Sequence, residues 1–523
     1  MSAGHLELAP ASQPAPRFGV RALVRVPALL DRALLLSALL VLASCAALAV
    51  CHLHTSFNLE TGSGVQMGLA VHLNAGRFYP AVFDGEHYGG TRYMPLYFVL
   101  HAGLARLTGE YVLSGKLLTL LLAVLLVFGL VALLRRVGCG RAPALALAGL
   151  VVGSGTGFFA CTTIRSDLLA VVCQVGALLA AWGRPSYRRV ALAGLLCALA
   201  FFSKLTALWA APAIGLTFLL ARDWRRALAF AGAWLGALAG GLALLHVVTA
   251  GRMLENFTAL SASGLSSIYA LARGPYRLFW FLPRGGPLLQ ALAPFLLLEC
   301  CRAWRQRAWT VCHWSLVLCL LLSAMVMADV GAVSNHLLDL VVTAALVAGA
   351  LWASLAARPD EAWGLRALMA LSVLWGLWGL LVNTTAQRTL DTARDLVRGT
   401  QRHPATPLKG LDWGDRPMLA EDPLVPVSRG QVPVVLDLYA LARLQRTRRE
   451  LVRPLVRRIE RHEFACVVLR EHVEGRDYDR GDDWEAFFYG KAVSAALRQH
   501  YRLGHTAEGH RVFVPNAVKG PGE

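Results

Sequence analysis

The sequence predicts an α-helical polytopic membrane protein with about eleven spans, a long first loop carrying short surface helices, and a small α/β domain at its C-terminus. Three observations predict it. Of 523 residues, 56% are hydrophobic and 16% charged, and the mean hydropathy is +0.51, outside the usual balance of a soluble globular chain. Apolar runs recur from Leu34 to Val382, and short arginine clusters separate many of them. After about Thr384 this pattern stops and soluble-domain segments follow. A formal net charge of +18 would suit a nucleic-acid binder if it formed one face. Here it is dispersed between apolar runs, so nucleic acid is not an expected partner.

In chain order, residues 1–30 are expected to form a disordered cytoplasmic N-terminus, with Met1 to Pro16 rich in Pro, Ala and Ser. The first apolar run comes too late for a cleaved signal peptide and reads as a retained anchor. A membrane domain is expected over residues 31–383. Its apolar runs are Leu34–Cys51, Leu117–Leu134, Ala142–Cys161, Leu168–Trp182, Val190–Phe202, Leu205–Leu220, Ala227–Thr249, Pro287–Cys301, Trp309–Met327, Leu337–Ala356 and Leu365–Val382. Several are shorter than the roughly 17 to 25 residues a span needs, so they must borrow flanking polar residues.

Arginine clusters set the orientation. Arg25/Arg32, Arg135/Arg136/Arg141, Arg184/Arg188/Arg189, Arg222/Arg225/Arg226 and Arg302/Arg305/Arg307 follow every second crossing, as cytoplasmic loops require. Val190 to Leu220 has basic flanks on both sides and should cross twice, turning at Lys204. The N-terminus is then inside. The outer side collects the first loop (about 52–116), the Arg165–Asp167 turn, the Lys204 turn, the Gly251–Gly286 loop, the Asp329–Asn335 turn and a domain over 384–523. Within the first loop, Gly68–Ala75 and Tyr93–Leu107 read as surface helices. In the tail, Pro417–Leu419, Val432–Leu436 and Phe464–Leu469 read as strands, and Leu441–Arg461 and Trp484–Tyr501 as helices.

The ionisable residues at the expected outer boundary are the candidates for chemistry, because charge at the edge of a bilayer is costly unless it pairs or works. Glu60 follows the first span; a partly desolvated carboxylate there suits a general base, and a solvated loop residue is the alternative. Asp84, Glu86 and His87 crowd one glycine-rich loop, either as a polar tip or as ligands for a divalent cation, which nothing in the sequence requires. Arg165 and Asp167 open a span as a functional pair or as a helix cap. Lys204, Arg252 and Arg277 suit a lipid phosphate or serve as interfacial anchors. Asn335, His336 and Asp339 open the tenth run and suit either a cavity or a contact between helices.

One span followed by a long loop with an early acidic residue, then Asn74-Ala75-Gly76-Arg77-Phe78-Tyr79-Pro80 and Tyr93-Met94-Pro95-Leu96-Tyr97, resembles the bacterial membrane glycosyltransferases of the GT-C superfamily. The likeness is to the family-39-like enzymes related to protein O-mannosyltransferases and the lipid A aminoarabinose transferase. Arg165-Ser166-Asp167, Phe202-Ser203-Lys204-Leu205-Thr206 and Asn335-His336-Leu337-Leu338-Asp339 resemble further segments of such proteins. The resemblance implies a bacterial inner-membrane enzyme that moves a hexosyl or pentosyl group from a polyprenyl-phosphate donor to a hydroxyl of a glycan, lipid or protein. It implies Glu60 as the base and Asp167 as a second acidic position; the positive charge that a departing donor phosphate needs can come from Arg165, Lys204, Arg252 or Arg277. Tyr93 joins the substrate loop, with Asp84, Glu86, His87, Asn335, His336 and Asp339. Many relatives carry two adjacent acidic residues where this chain has Leu59-Glu60, which leaves Asp84 and Glu86 as alternative bases. A transporter or flippase of lipid-linked saccharide would share the many spans. It should also show internal repeats and broken midplane helices, and no repeat is evident.

Overall fold

The computed structural model describes residues 20–260, 268–282, 287–329, 332, 334–358, 362–398, 416–470, 490–507 and 509–516. The Met1–Pro16 stretch and the expected start of the last helix at Trp484 lie outside these residues. The described chain is mostly helical, as lipid demands: no water satisfies a backbone N–H or C=O in the hydrocarbon, so each segment must pair its own.

Helix α1 (Val20–Cys51) leads into α2 (Thr61–Asn74) and α3 (Pro95–Thr108) of the first loop, and then α4 (Tyr111–Val137). Next come α5 (Arg141–Gly153), α6 (Gly155–Thr162), α7 (Asp167–Ala181), α8 (Tyr187–Ser203), α9 (Ala210–Leu220) and α10 (Trp224–Val248). They are followed by α11 (Arg252–Leu260), α12 (Ile268–Phe281), α13 (Pro287–Arg305), α14 (Val311–Met327), α15 (Leu338–Ala356), α16 (Trp363–Leu380) and α17 (Gln387–Arg398). By length and composition, five of the described helices can cross a membrane: α1, α4, α10, α15 with the turn before it, and α16. Helices α5 and α6 make a sixth if they are one span, while α7, α9 and α14 are shorter apolar helices.

Some helices depart from the sequence expectation for identifiable reasons. Helix α1 begins at Val20, so residues 20–30 are helical where disorder was expected. The Ala142–Cys161 run bends by 71° between α5 and α6. Ser154 breaks it by accepting a hydrogen bond from the Gly157 N–H at 3.0 Å, and Gly157 lies so close to the Val151 carbonyl that no side chain fits there. Helix α2 starts at Thr61, ahead of the expected Gly68, and α3 starts where Pro95 occupies its first turn.

Helix α15 is the most enclosed, with buried residues on nearly every side, and its neighbours include α4, α5, α13 and α14. At one end of the bundle, separate loops meet. Asn256 of α11 donates to the Pro80 carbonyl at 3.1 Å, Arg92 lies 3.4 Å from Asp329, and Arg277 of α12 binds carbonyls after α14. These contacts bring the first loop, α11, α12 and the turn after α14 together.

The chain after Pro417 rests on that end too. Strands β1 (Leu419–Ala420), β2 (Val467–Arg470), β3 (Tyr501–Ala507) and β4 (His510–Pro515) form one sheet in the order β1-β2-β4-β3, with β1 parallel to β2 and the other pairs antiparallel. Alternation sorts its side chains: Leu419, Val467 and Leu469 join one buried cluster, and Met418, Ala420, Cys466 and Val468 join another. Val432–Leu436, expected as a strand, instead makes an isolated bridge from Val435 to Tyr88 of the first loop. The helix expected from Leu441 to Arg461 is divided into Leu438–Thr447, a 3-10 turn at Arg449–Val452, and Arg453–Glu460. Pro454 explains the division, since it starts a helix but cannot continue one.

Candidate active site

Five charged side chains from four parts of the chain converge at the end where the loops meet. Glu60 is the N-cap of α2, and its Oε1 receives the Arg165 guanidinium Nη1 in a close ion pair. Arg165 Nε donates to Asp167 Oδ2 at 3.0 Å. Asp167 Oδ1 meets Lys204 Nζ at 2.6 Å and accepts from Asn335 Nδ2 at 3.2 Å. Lys204 also stands 4.0 Å from Asp339 Oδ2. The order Glu60–Arg165–Asp167–Lys204–Asp339 alternates sign throughout.

The local structure explains why these residues meet. Arg165 and Asp167 flank the sharp turn between α6 and α7, and Lys204 ends α8, which packs along α7 as a hairpin. Asp339 sits in the first turn of α15, where Gln174 of α7 donates to its Oδ1 at 3.0 Å and Trp209 donates at 2.7 Å. Desolvating a charge costs several kcal/mol unless partners replace its water. Here three carboxylates are met by two cations and by neutral donors from Asn335, Gln174 and Trp209.

Exposure separates the carboxylates. The side chains of Asp167 and Asp339 are 5% and 10% exposed, and that of Glu60 is 36% exposed. Of the three, Glu60 is the one an incoming group can touch. Gly62, just past it, makes room for the site: a Cβ there would lie 2.7 Å from Arg165 Nη1 and 3.3 Å from the Tyr93 hydroxyl. Tyr93 is thereby placed beside Arg165, and its carbonyl accepts from Tyr79 OH at 2.5 Å. His336 lies within electrostatic range of Lys204, Asp167 and Arg165. Asn335 Oδ1 is buried and has no hydrogen-bond partner among the described residues.

Other residues singled out from the sequence lie elsewhere. Asp84 turns back on its own loop, its Oδ1 accepting from the backbone N–H groups of Glu86 at 3.0 Å and His87 at 2.7 Å. Burial alone would raise the Asp84 carboxyl, but these N–H bonds and the nearby His87 and Arg77 hold it below the ordinary carboxylate range. Glu86 offers its carbonyl to Arg458 at 2.5 Å, tying the loop to the C-terminal part. Among the described residues no group of three or more His, Cys, Asp or Glu is arranged to hold a metal ion. Arg277 donates to the Met327 carbonyl at 3.1 Å, the Ala332 carbonyl at 3.0 Å and the Asp329 carbonyl, so it fastens α12 to the turn after α14. Arg252 is exposed at the start of α11 and pairs with none of the five cluster residues among those described.

The structure adds residues that sequence reasoning missed. Asp422 and Arg470 form an ion pair at the ends of β1 and β2. A Cβ on Gly64 of α2 would lie 2.6 Å from Asp422 Oδ1, so this pair packs one turn from Glu60. Gln174 and Trp209 offered a weak signal, as polar donors inside or beside apolar runs. Asp422 and Arg470 offered none, because charged residues are ordinary in soluble segments.

Neither the protein-family models nor the curated proteins contain a match to this chain. Solved structures do match its fold. ArnT from Cupriavidus metallidurans bound to undecaprenyl phosphate aligns with a TM-score of 0.60 at 12% identity, over 92% of this chain and 98% of that one. The same protein in the apo state aligns with a TM-score of 0.51 at 12% identity, over 86% and 93%. The apo oligosaccharyltransferase of Archaeoglobus fulgidus aligns with a TM-score of 0.52 at 12% identity, over 92% of this chain and 75% of that chain. At this identity the likeness establishes the fold.

Proposed function

We propose that this chain, which has the fold of the GT-C membrane glycosyltransferases, transfers a sugar from a polyprenyl-phosphate-linked donor to a hydroxyl of a glycan, lipid or protein. The observation that carries this reading is the alternating cluster Glu60–Arg165–Asp167–Lys204–Asp339, with one exposed carboxylate at its edge. The undecaprenyl phosphate bound to the similarly folded ArnT supports a lipid-phosphate donor. We take the end carrying the cluster, and with it the domain over 384–523, to be extracytoplasmic, because the arginine clusters lie in the loops of the opposite end. On this reading the membrane is the bacterial inner membrane.

The reaction is an in-line displacement with inversion. The acceptor hydroxyl oxygen attacks the anomeric carbon, and its proton passes to the Glu60 carboxylate. The bond from that carbon to the phosphate oxygen breaks, and the electron pair leaves on the phosphate. Arg165 and Lys204 supply positive charge where that negative charge develops. Asp167 touches both cations, so its part is to hold them in place. Glu60 serves as base better than Asp84, whose oxygens are committed to their own loop. Arg252 is an outlying contact for the donor phosphate, whereas the Arg277 donors serve carbonyls. The sugar transferred is the one the donor carries, and the mass of the product distinguishes a hexose from a pentose.

Replacing the base tests the reading. Glu60→Gln should lower transfer by about 10²- to 10⁴-fold, the range for loss of a general base, with the protein still inserted and folded. Asp167→Asn should also lower transfer, by releasing Arg165 and Lys204. Full activity in both variants would place the chemistry elsewhere.

A further inference from the structure

Beneath the cluster lies a buried cation that the reaction above does not use. Lys116, in the second turn of α4, is 4% exposed. Its Nζ donates to the Phe57 carbonyl at 2.7 Å and, closely, to the Thr162 carbonyl. Among the described residues no carboxylate lies within ion-pair distance of it. A buried ammonium without a counter-charge is a costly way to satisfy carbonyls. What distinguishes this one is which carbonyls it joins.

Phe57 belongs to the segment that ends at Glu60, and Thr162 to the segment that leads to Arg165 and Asp167. Further bonds join these two segments to each other and to α4. Asn58, in the left-handed region at φ 57°, donates to Thr162 Oγ1 at 2.7 Å, and Ser63 Oγ meets Thr163 Oγ1 at 2.8 Å. Thr119, nearly one turn beyond Lys116, donates to the Thr163 carbonyl at 2.8 Å. Gly115 lets α4 come close, since a Cβ there would lie 2.7 Å from Ile164 Cδ1. Helix α4 therefore acts as a template on which both loops are set, and Lys116 is the group that holds both at once.

We infer that Lys116 is a positioning residue, whose ammonium bridges the Phe57 and Thr162 carbonyls and so fixes Glu60 opposite Arg165 and Asp167. This rests on the proposed transferase reading for its consequence in catalysis, but not for its structural content. Displacement of a reacting group by about 1 Å costs about 100-fold in rate, so loss of the bridge lowers transfer without removing the site's charged groups.

The test uses the full chain in nanodiscs, with two readouts. In the first, amide hydrogen exchange is followed in Lys116→Met, Lys116→Arg and the unaltered protein. Exchange in residues 57–63 and 162–167 should rise together, at least about tenfold, in Lys116→Met and return toward the unaltered rate in Lys116→Arg, with residues 305–310 unchanged. A rise in one segment alone, or in neither, overturns the inference. In the second, product per folded protein should fall about 100-fold in Lys116→Met, recover in part in Lys116→Arg, and be accompanied by undecaprenyl phosphate binding within threefold of the unaltered protein. A fall that only tracks the amount of folded protein or the loss of undecaprenyl phosphate binding overturns it as well. If Lys116→Met does not insert, Lys116→Gln, whose shorter and uncharged side chain weakens the bridge while staying polar, must raise exchange in both segments, and unchanged exchange in it overturns the inference. Absence of product from the unaltered protein would defeat the transferase reading, and the exchange data would still decide the role of Lys116.

Discussion

Glu60, Arg165, Asp167, Lys204 and Asp339 were legible from the sequence because each interrupts or borders an apolar run, where an ionisable group must find a partner or a task. Their pairing was not legible, since Arg165 reaches a residue 105 positions earlier in the chain. Lys116 was not legible as part of the site because it stands at the end of the expected first loop, where a lysine reads as an interfacial anchor. The role of Gly62 depends wholly on what packs against it. Gly62→Ala should favour helix α2 by up to about 1 kcal/mol through propensity alone, yet crowd Arg165 and Tyr93. The expected outcome is an unchanged or slightly raised melting temperature with transfer reduced about tenfold or more, measured on the same purified sample. Unchanged transfer would show that the Glu60–Arg165 pair tolerates displacement.

At the scale of elements, apolar runs announced their helices, while the breaks within them depended on local chemistry. Ser154 between two glycines turns α5 into α6, and Pro454 divides one expected helix in two. The Val432–Leu436 segment has the residues of a strand but pairs with Tyr88, which sequence separation hid. Docking of the C-terminal part on α2 leads to a prediction at this scale. Gly64 and Gly68 face Asp422, Leu424 and Leu436 with no room for side chains. Gly64→Leu should force α2 and β1 apart, costing about 1 to 3 kcal/mol as overpacking does, and should open the Asp422–Arg470 region to proteolysis. Limited proteolysis with an unchanged pattern in Gly64→Leu would contradict the tight docking. Arg277→Met belongs to the same scale: it should lower the melting temperature by loosening α12, while product per folded protein stays near the unaltered level. A loss of transfer in fully folded Arg277→Met would return that residue to the donor site.

For the whole molecule, composition and arginine placement conveyed a multi-pass membrane protein, and the fold agrees with that of ArnT along 92% of the chain. Contacts join the first loop, the turn after α14 and the described C-terminal part at Val435 and Leu451, so a reporter fused after the C-terminus and a label on Asp84 should lie on the same side of the membrane. On the proposed reading, which follows the positive-inside rule, that side is outside the cytoplasm; a cytoplasmic C-terminal reporter would contradict this orientation. The central claim is transfer of a lipid-linked sugar to an envelope acceptor. The most direct test is mass spectrometry of surface glycans, lipids and glycoproteins from cells with the gene, without it, and with its Glu60→Gln form. A hexose- or pentose-sized mass increment on one acceptor class is expected with the intact gene and is expected to be missing in the other two. Identical spectra from all three would contradict that claim.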